Sequence, residues 1–352
     1  MEPKIYGKSC FMNTTDNQVL LECVPNFSEG RNPVVIESIA AAIRQIAGVK
    51  LLHIDPGYDA NRTVMTFVGP PLAVVEAAFQ SIKTASQLID MRQQQGTHPR
   101  MGATDVCPLV PIAGMSLNEA VVLARALGQR VGSELNIPVY LYEDAAQDPQ
   151  RRNLATIRQG EYEGLAQKIL QPEWTPDYGP DRGTFPAGAT VIGARKFLIA
   201  YNVNLNTTDV SLARRIAEKV RASGHKVKDE RGNIQRIPGR CPGLKAIGWY
   251  MPSYGKAQVS MNITDLDLTP VHEAFVACQQ EAQHLGVEVT GSELIGLAPL
   301  RVFLEAGHYF APNESGLDRL IEIAIVHLGL RELEGFDPAN RILERCIQNE
   351  GG

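Results

Sequence analysis

Gly96-Thr97-His98-Pro99-Arg100-Met101-Gly102-Ala103-Thr104-Asp105-Val106-Cys107-Pro108 sets a histidine and an arginine on either side of a proline, in a turn that runs directly into an apolar stretch. Pro99 fixes its own φ and drives His98 toward extended backbone. Gly96 and Gly102 bracket the turn, as glycines do where a chain bends sharply or lets a ligand approach closely. A lone histidine is ordinarily structural. One held in a rigid loop beside a cation is a candidate acid/base group.

Outward from this turn the pattern alternates strand and helix. Downstream, Thr104–Pro111 reads as a strand, Leu117–Leu135 as an amphipathic helix and Val139–Tyr142 as a short strand. Upstream, Val19–Cys23 reads as a strand, and Asn32 as an N-cap with Pro33 at the first helical position. Val49–Ile54 and Arg62–Val68 follow as strands, and Pro70-Pro71 opens a helix to Met91. The second half repeats the order. Phe197–Val203 is a strand, Asp209 caps a helix to Ser223, and Leu244–Tyr250 and Ala257–Ile263 form a hairpin. A helix from Thr269 to Leu285, a strand Val287–Thr290 and helices at Leu294–Glu305 and Gly316–Leu328 complete it. Strand–helix–strand–strand–helix–strand therefore occurs twice. The expected fold class is α/β (α+β): two ferredoxin-like βαββαβ subdomains, each a sheet covered by helices, with a ligand cleft between them. The expected divisions are a disordered N-terminal tail over 1–18, subdomains over 19–193 and 194–340, and a C-terminal tail over 341–352.

The chain has 352 residues, 44% hydrophobic and 21% charged, as in an ordinary soluble protein. A formal net charge of -5, with 6% aromatic residues, gives neither the basic footprint nor the stacking platform of a nucleic-acid binder. No run is long and apolar enough for a membrane span, and the polar N-terminus lacks a secretory h-region. The six cysteines are scattered and form no C-x-x-C, and the seven histidines show no ligand spacing, so no metal is implied.

Four segments bear on chemistry. His53 and Asp55 share one face at the end of a strand, with Asn61 and Arg62 opening the next, so Asp55 is placed to orient or charge a catalytic histidine. Gly188–Gly193 has the glycine spacing of a P-loop but lacks its Gly-Lys-Ser/Thr ending, and it precedes a strand, so nucleotide binding is rejected. Trp174–Gly193, rich in proline and glycine, reads as a linker or as the wall of a cleft. Arg221–Arg240 is basic and reads as a solvated loop, with docking of a polyanionic tail as the functional alternative.

Leu21-Glu22-Cys23-Val24-Pro25-Asn26-Phe27-Ser28-Glu29-Gly30 resembles the opening of the glutamate formimidoyltransferase (formiminotransferase) family. So do Asn61-Arg62-Thr63, Phe67-Val68-Gly69-Pro70-Pro71, Leu88-Ile89-Asp90-Met91, His98–Pro108, Gly193–Ala200 and Ile247-Gly248-Trp249-Tyr250. The resemblance runs from Val19 to Leu330. It implies transfer of the formimino group of N-formimino-L-glutamate to N5 of tetrahydrofolate, a step in histidine degradation. It implies a cytoplasmic homodimer that takes both compounds as small-molecule substrates, tetrahydrofolate being a co-substrate, with no metal, nucleic acid or membrane partner. Members with a second, cyclodeaminase domain are longer, and the expectation here is transferase activity alone. The family's catalytic histidine falls on His98 and its carboxylate on Asp55. Its folate-binding segment falls on Gly179-Pro180-Asp181-Arg182-Gly183-Thr184-Phe185-Pro186-Ala187-Gly188. Arg62, Arg100 and Arg195 are candidates for the substrate carboxylates, because a guanidinium fork matches a carboxylate. His98 as a proton shuttle is expected to work near its ordinary value of about 6.5. Two readings stay open beside this one: a formyl donor (N-formylglutamate or 5-formyltetrahydrofolate), and a folate-binding protein without catalysis.

Overall fold

A computed structural model describes residues 19–229, 232–333 and 335–349. The expected N-terminal tail, 1–18, lies outside the described residues. Contacts divide the chain into two compact units, the second beginning at Phe197.

In the first unit, β1 (Leu20–Cys23) and β2 (Asn26–Phe27) act as one strand interrupted at Val24-Pro25, where proline has no N–H to give the ladder. Helix α1 (Pro33–Arg44) begins as the sequence predicts, with the Asn32 side chain accepting from Val34 N and Pro33 at the first position. Next come β3 (Lys50–Gly57), β4 (Arg62–Gly69), α2 (Pro71–Leu88) and β5 (Thr104–Ala113). β4 pairs antiparallel with β3 on one side and with β1 and β2 on the other, and β1 and β2 pair antiparallel with β5. This is the 4-1-3-2 order of a ferredoxin-like unit.

The unit then extends. Helix α3 (Leu117–Leu135) carries a Ser116–Glu119 capping box and leads to β6 (Val139–Glu143). Short helices α4 (Leu154–Ile157) and α5 (Glu161–Lys168) precede β7 (Thr190–Ala194). β7 lies between β5 and β6, parallel to both, and is buried along its whole length. The final residues of the segment expected as a linker therefore form a central strand: a fully buried parallel strand shows a continuous apolar run without alternation, and here the prolines and glycines before it conceal it. Leu21, Phe27, Met65, Phe67 and Leu109 have no exposed surface, and burying each such side chain contributes about 1.5–3 kcal/mol.

The second unit contains β8 (Ile199–Leu205), α6 (Val210–Val220), β11 (Leu244–Met251), β12 (Lys256–Ile263), α7 (Val271–His284) and β13 (Val289–Ile295). Its sheet runs β11-β12-β8-β13, again 4-1-3-2 and antiparallel throughout. Asp209 caps α6 by accepting from Ser211 N. The basic stretch expected as a loop contains a small hairpin, β9 (His225–Lys228) with β10 (Ile234–Ile237). The strand predicted at Val287 continues to Ile295, so the next helix, α8 (Leu300–Phe310), starts later than the periodicity suggests. Helices α9 (Leu317–His327), α10 (Pro338–Arg341) and α11 (Leu343–Asn349) follow. The part of the expected C-terminal tail that is described is thus helical. Ile342, Leu343 and Cys346 are buried, and their apolar surface holds it in place.

Candidate active site

The β3–β4 hairpin and the loop before β5 together present His98. At the hairpin tip Asn61 adopts φ 47°, a left-handed conformation that asparagine tolerates. Its Oδ1 accepts from Gly30 N at 3.0 Å and its Nδ2 donates to Gln95 O at 2.8 Å. Its main-chain oxygen accepts from Gln94 Nε2 at 3.0 Å. One side chain with its backbone thereby stitches three loops together. Thr97 donates from both N and Oγ1 to Asp59 O, each at 3.2 Å. A Cβ on Gly96 would stand 2.2 Å from Ala60 O, so only glycine permits this approach.

The loop is also held from below. All five N–H groups of the Arg100 guanidinium are engaged: Nε and Nη2 with Gln94, Nη1 with Glu161 and Glu163, and Nη2 again with Glu163. Tyr162 N donates to Arg100 O at 2.9 Å, and Met101 N donates to Asp105 Oδ1 at 2.9 Å. The other Asp105 oxygen accepts from Arg158, the residue that ends α4. Lys168 Nζ grips that end through Ile157 O at 2.6 Å and Gln159 O at 2.9 Å, and so sets where Arg158 emerges.

These constraints bring Arg62 Nη1 to 2.6 Å from His98 Nε2. Arginine only donates, so Nε2 accepts and the neutral ring carries its proton on Nδ1. The imidazole is held well below its ordinary value, first by burial and then by the cations Arg62 and Arg158. It is therefore a neutral base at physiological pH, and lower than the unperturbed value expected from the sequence. Burial and Arg158 also bring Arg62 down to about 10, while Asp105 and Asp55 counteract them, and Arg62 stays charged.

Of the sequence candidates, His98 and Arg62 meet directly, and the Asp55 charge is felt by Arg62. Arg100 is committed to Glu161, Glu163 and Gln94. Arg195 lies past the end of β7, where its N donates to Leu109 O at 3.1 Å and its guanidinium acts on buried Tyr142. Gly179–Gly188 is irregular and largely exposed through Thr184. Its far end is fastened beside the histidine loop: Pro186 O accepts from Met91 N and Ala187 O from Ala103 N, each at 2.8 Å, and Gly188 bridges Gly102. Sequence reasoning missed Arg158 as a partner in the site, and Asp105 was quoted without a role. Among the described residues no three His, Cys, Asp or Glu side chains stand together as a metal site, and no helix is long and apolar enough to cross a membrane.

Comparison with known proteins identifies the family of the chain. Residues 20–195 match the family model for the formiminotransferase domain, N-terminal subdomain, and residues 200–348 match that for the formiminotransferase domain. A formimidoyltransferase-cyclodeaminase of Rattus norvegicus is 48% identical over 336 residues, covering 94% of this chain and 60% of the relative. A glutamate formimidoyltransferase of Streptococcus pyogenes serotype M1 is 43% identical, covering 84% of this chain and 94% of that one. The glutamate formimidoyltransferase of Thermoplasma acidophilum is 40% identical, covering 94% and 97%. The chain thus spans about 60% of the length of the mammalian relatives it matches and nearly the whole of the microbial ones.

Proposed function

The chain belongs to the formiminotransferase family, and on that footing we propose that it is a glutamate formimidoyltransferase, moving the formimino group of N-formimino-L-glutamate to N5 of tetrahydrofolate and releasing L-glutamate. The observation that carries the reading is the neutral, half-buried His98 imidazole beside Arg62, in a loop fixed from both sides. N5 attacks the amidine carbon and must lose a proton; the departing glutamate nitrogen must gain one. A neutral imidazole takes the first proton. The imidazolium it becomes faces two cations, Arg62 and Arg158, and gives the proton up readily to the leaving amine.

Such acid/base work contributes about 10²–10⁴ in rate, while aligning two bound substrates supplies about 7–11 kcal/mol of the barrier. Positioning therefore dominates. The exposed loop Gly179–Gly188, fastened at its end to the histidine loop, is our candidate for contact with tetrahydrofolate, and Asp55 for support of the charge at Arg62 and His98. By the family's pattern the protein works as a cytoplasmic homodimer in histidine degradation. The test is to mix protein, tetrahydrofolate and N-formimino-L-glutamate, acidify, and follow the absorbing methenyl form. Signal that His98→Ala abolishes upholds the reading. No signal with the formimino donor, but turnover with N-formylglutamate, would move the assignment to a formyl transferase.

A further inference from the structure

We propose that Arg62 is a lock on His98 that the donor's carboxylate opens: the guanidinium now bonded to the base's Nε2 transfers to a carboxylate of the glutamate moiety when the donor binds. This rests on the donor assignment above and adds to it an order of events.

Three observations carry it. The 2.6 Å contact uses the lone pair that a base needs, because arginine can only donate into it. An imidazole bonded in this way cannot accept a proton at Nε2. Second, Arg62 is half-buried and charged, yet it makes no ion pair among the described residues. Asp105, the buried acid of the cluster, is taken by Arg158. Asp55 acts on Arg62 by its charge alone. Arg100, by contrast, is saturated with carboxylate and amide oxygens. Arg62 therefore holds a weak neutral partner and lacks the bidentate one that its planar fork fits. Third, a charge-assisted bond to a carboxylate is about twice as strong as one to a neutral group, so an arriving carboxylate outcompetes the imidazole.

The consequence is ordered chemistry. Donor binding frees Nε2. The N5–C bond then forms as the N5 proton passes to Nε2, and the C–N bond to glutamate breaks as that proton passes to the leaving nitrogen. Without a donor the base stays capped. The charged groups facing His98 are Arg62 from β4 and Arg158 from the end of α4, with Asp55 on β3 and Asp105 on β5 acting through them.

The experiment is an NMR titration of ¹⁵N-histidine-labelled protein, with His98 assigned by loss of its signal in His98→Ala. L-glutamate, and not its diamide, which has no carboxylate, is expected to move the His98 Nε2 resonance and to raise its titration midpoint. In Arg62→Gln the midpoint is expected to be raised already and to ignore glutamate, with KM for the donor up about tenfold or more. Arg62→Lys keeps the charge without the fork and is expected to fall between; it serves as the reading if the glutamine variant does not fold. A His98 signal unchanged by glutamate at any concentration, or a glutamate response that survives in Arg62→Gln, overturns the lock. The measurement needs no turnover. Response without transferase activity would sink the functional reading and keep the lock, and activity with an unresponsive His98 would do the opposite.

Discussion

Arg158 and Asp105 stand 53 residues apart in the chain and form an ion pair at the His98 site, with Asp105 only 1% exposed. The same carboxylate accepts from Met101 N, so one acid fixes both the histidine loop and the cation that helps hold His98 neutral. A buried pair of this kind is weak evidence of net stability, but removing one member leaves the other charge uncompensated.

Asp105→Asn keeps an acceptor for Met101 N and strands Arg158. We expect a loss of about 3–5 kcal/mol, read from the urea midpoint at constant m-value. A loss under about 1 kcal/mol would show that the pair is not structural.

Arg100→Ala separates two roles for an arginine one residue beyond the His-Pro step. Its donors all hold the loop, so the expected outcome is about 2–4 kcal/mol of lost stability and a fall in kcat. A rise in KM for the donor alone, with stability intact, would instead make Arg100 a substrate ligand.

The pH profile of kcat/KM reports the base in the free enzyme. Since burial and two cations depress His98, activity is expected to stay level from neutral pH down past 6.5 before its acid limb begins. Arg158→Gln removes one of the two cations that act on the ring, so the limb moves up. An unmoved limb would exclude His98 as its source.

His272 on α7 makes a different pH prediction. It is buried, stacks on Tyr309 at 4.7 Å between ring centroids, and burial lowers it to about 4 from 6.5. Between those values the unfolded chain binds the proton and the native chain does not, so stability is level above about 6.5 and falls as pH drops toward 4. After screening, this is about 2 kcal/mol. His272→Phe keeps the stacking and removes the titration; the loss in urea stability between neutral pH and pH 4.5 is expected to shrink in it.

The amino-acid sequence by itself determined much of this protein. Periodicity and caps at Asn32 and Asp209 marked both strand–helix–strand–strand–helix–strand repeats, because amphipathic spacing and capping are local and survive in one dimension. The rigid His98 loop was legible for the same reason, in Pro99 and the flanking glycines. β7 was not: a strand buried on both faces shows no alternation, and Gly188 and the prolines before it read as linker. The partners of His98 were beyond the sequence too. Arg62 lies 36 residues from it, and Arg158 lies 53 from Asp105. Nothing local distinguishes Arg62 from Arg100, which the same reading treated alike, and nothing local singles out Arg158. Only tertiary structure decides which guanidinium meets two glutamates and which meets an imidazole, because long-range pairing follows from where the sheet and the loops at its ends deliver each side chain.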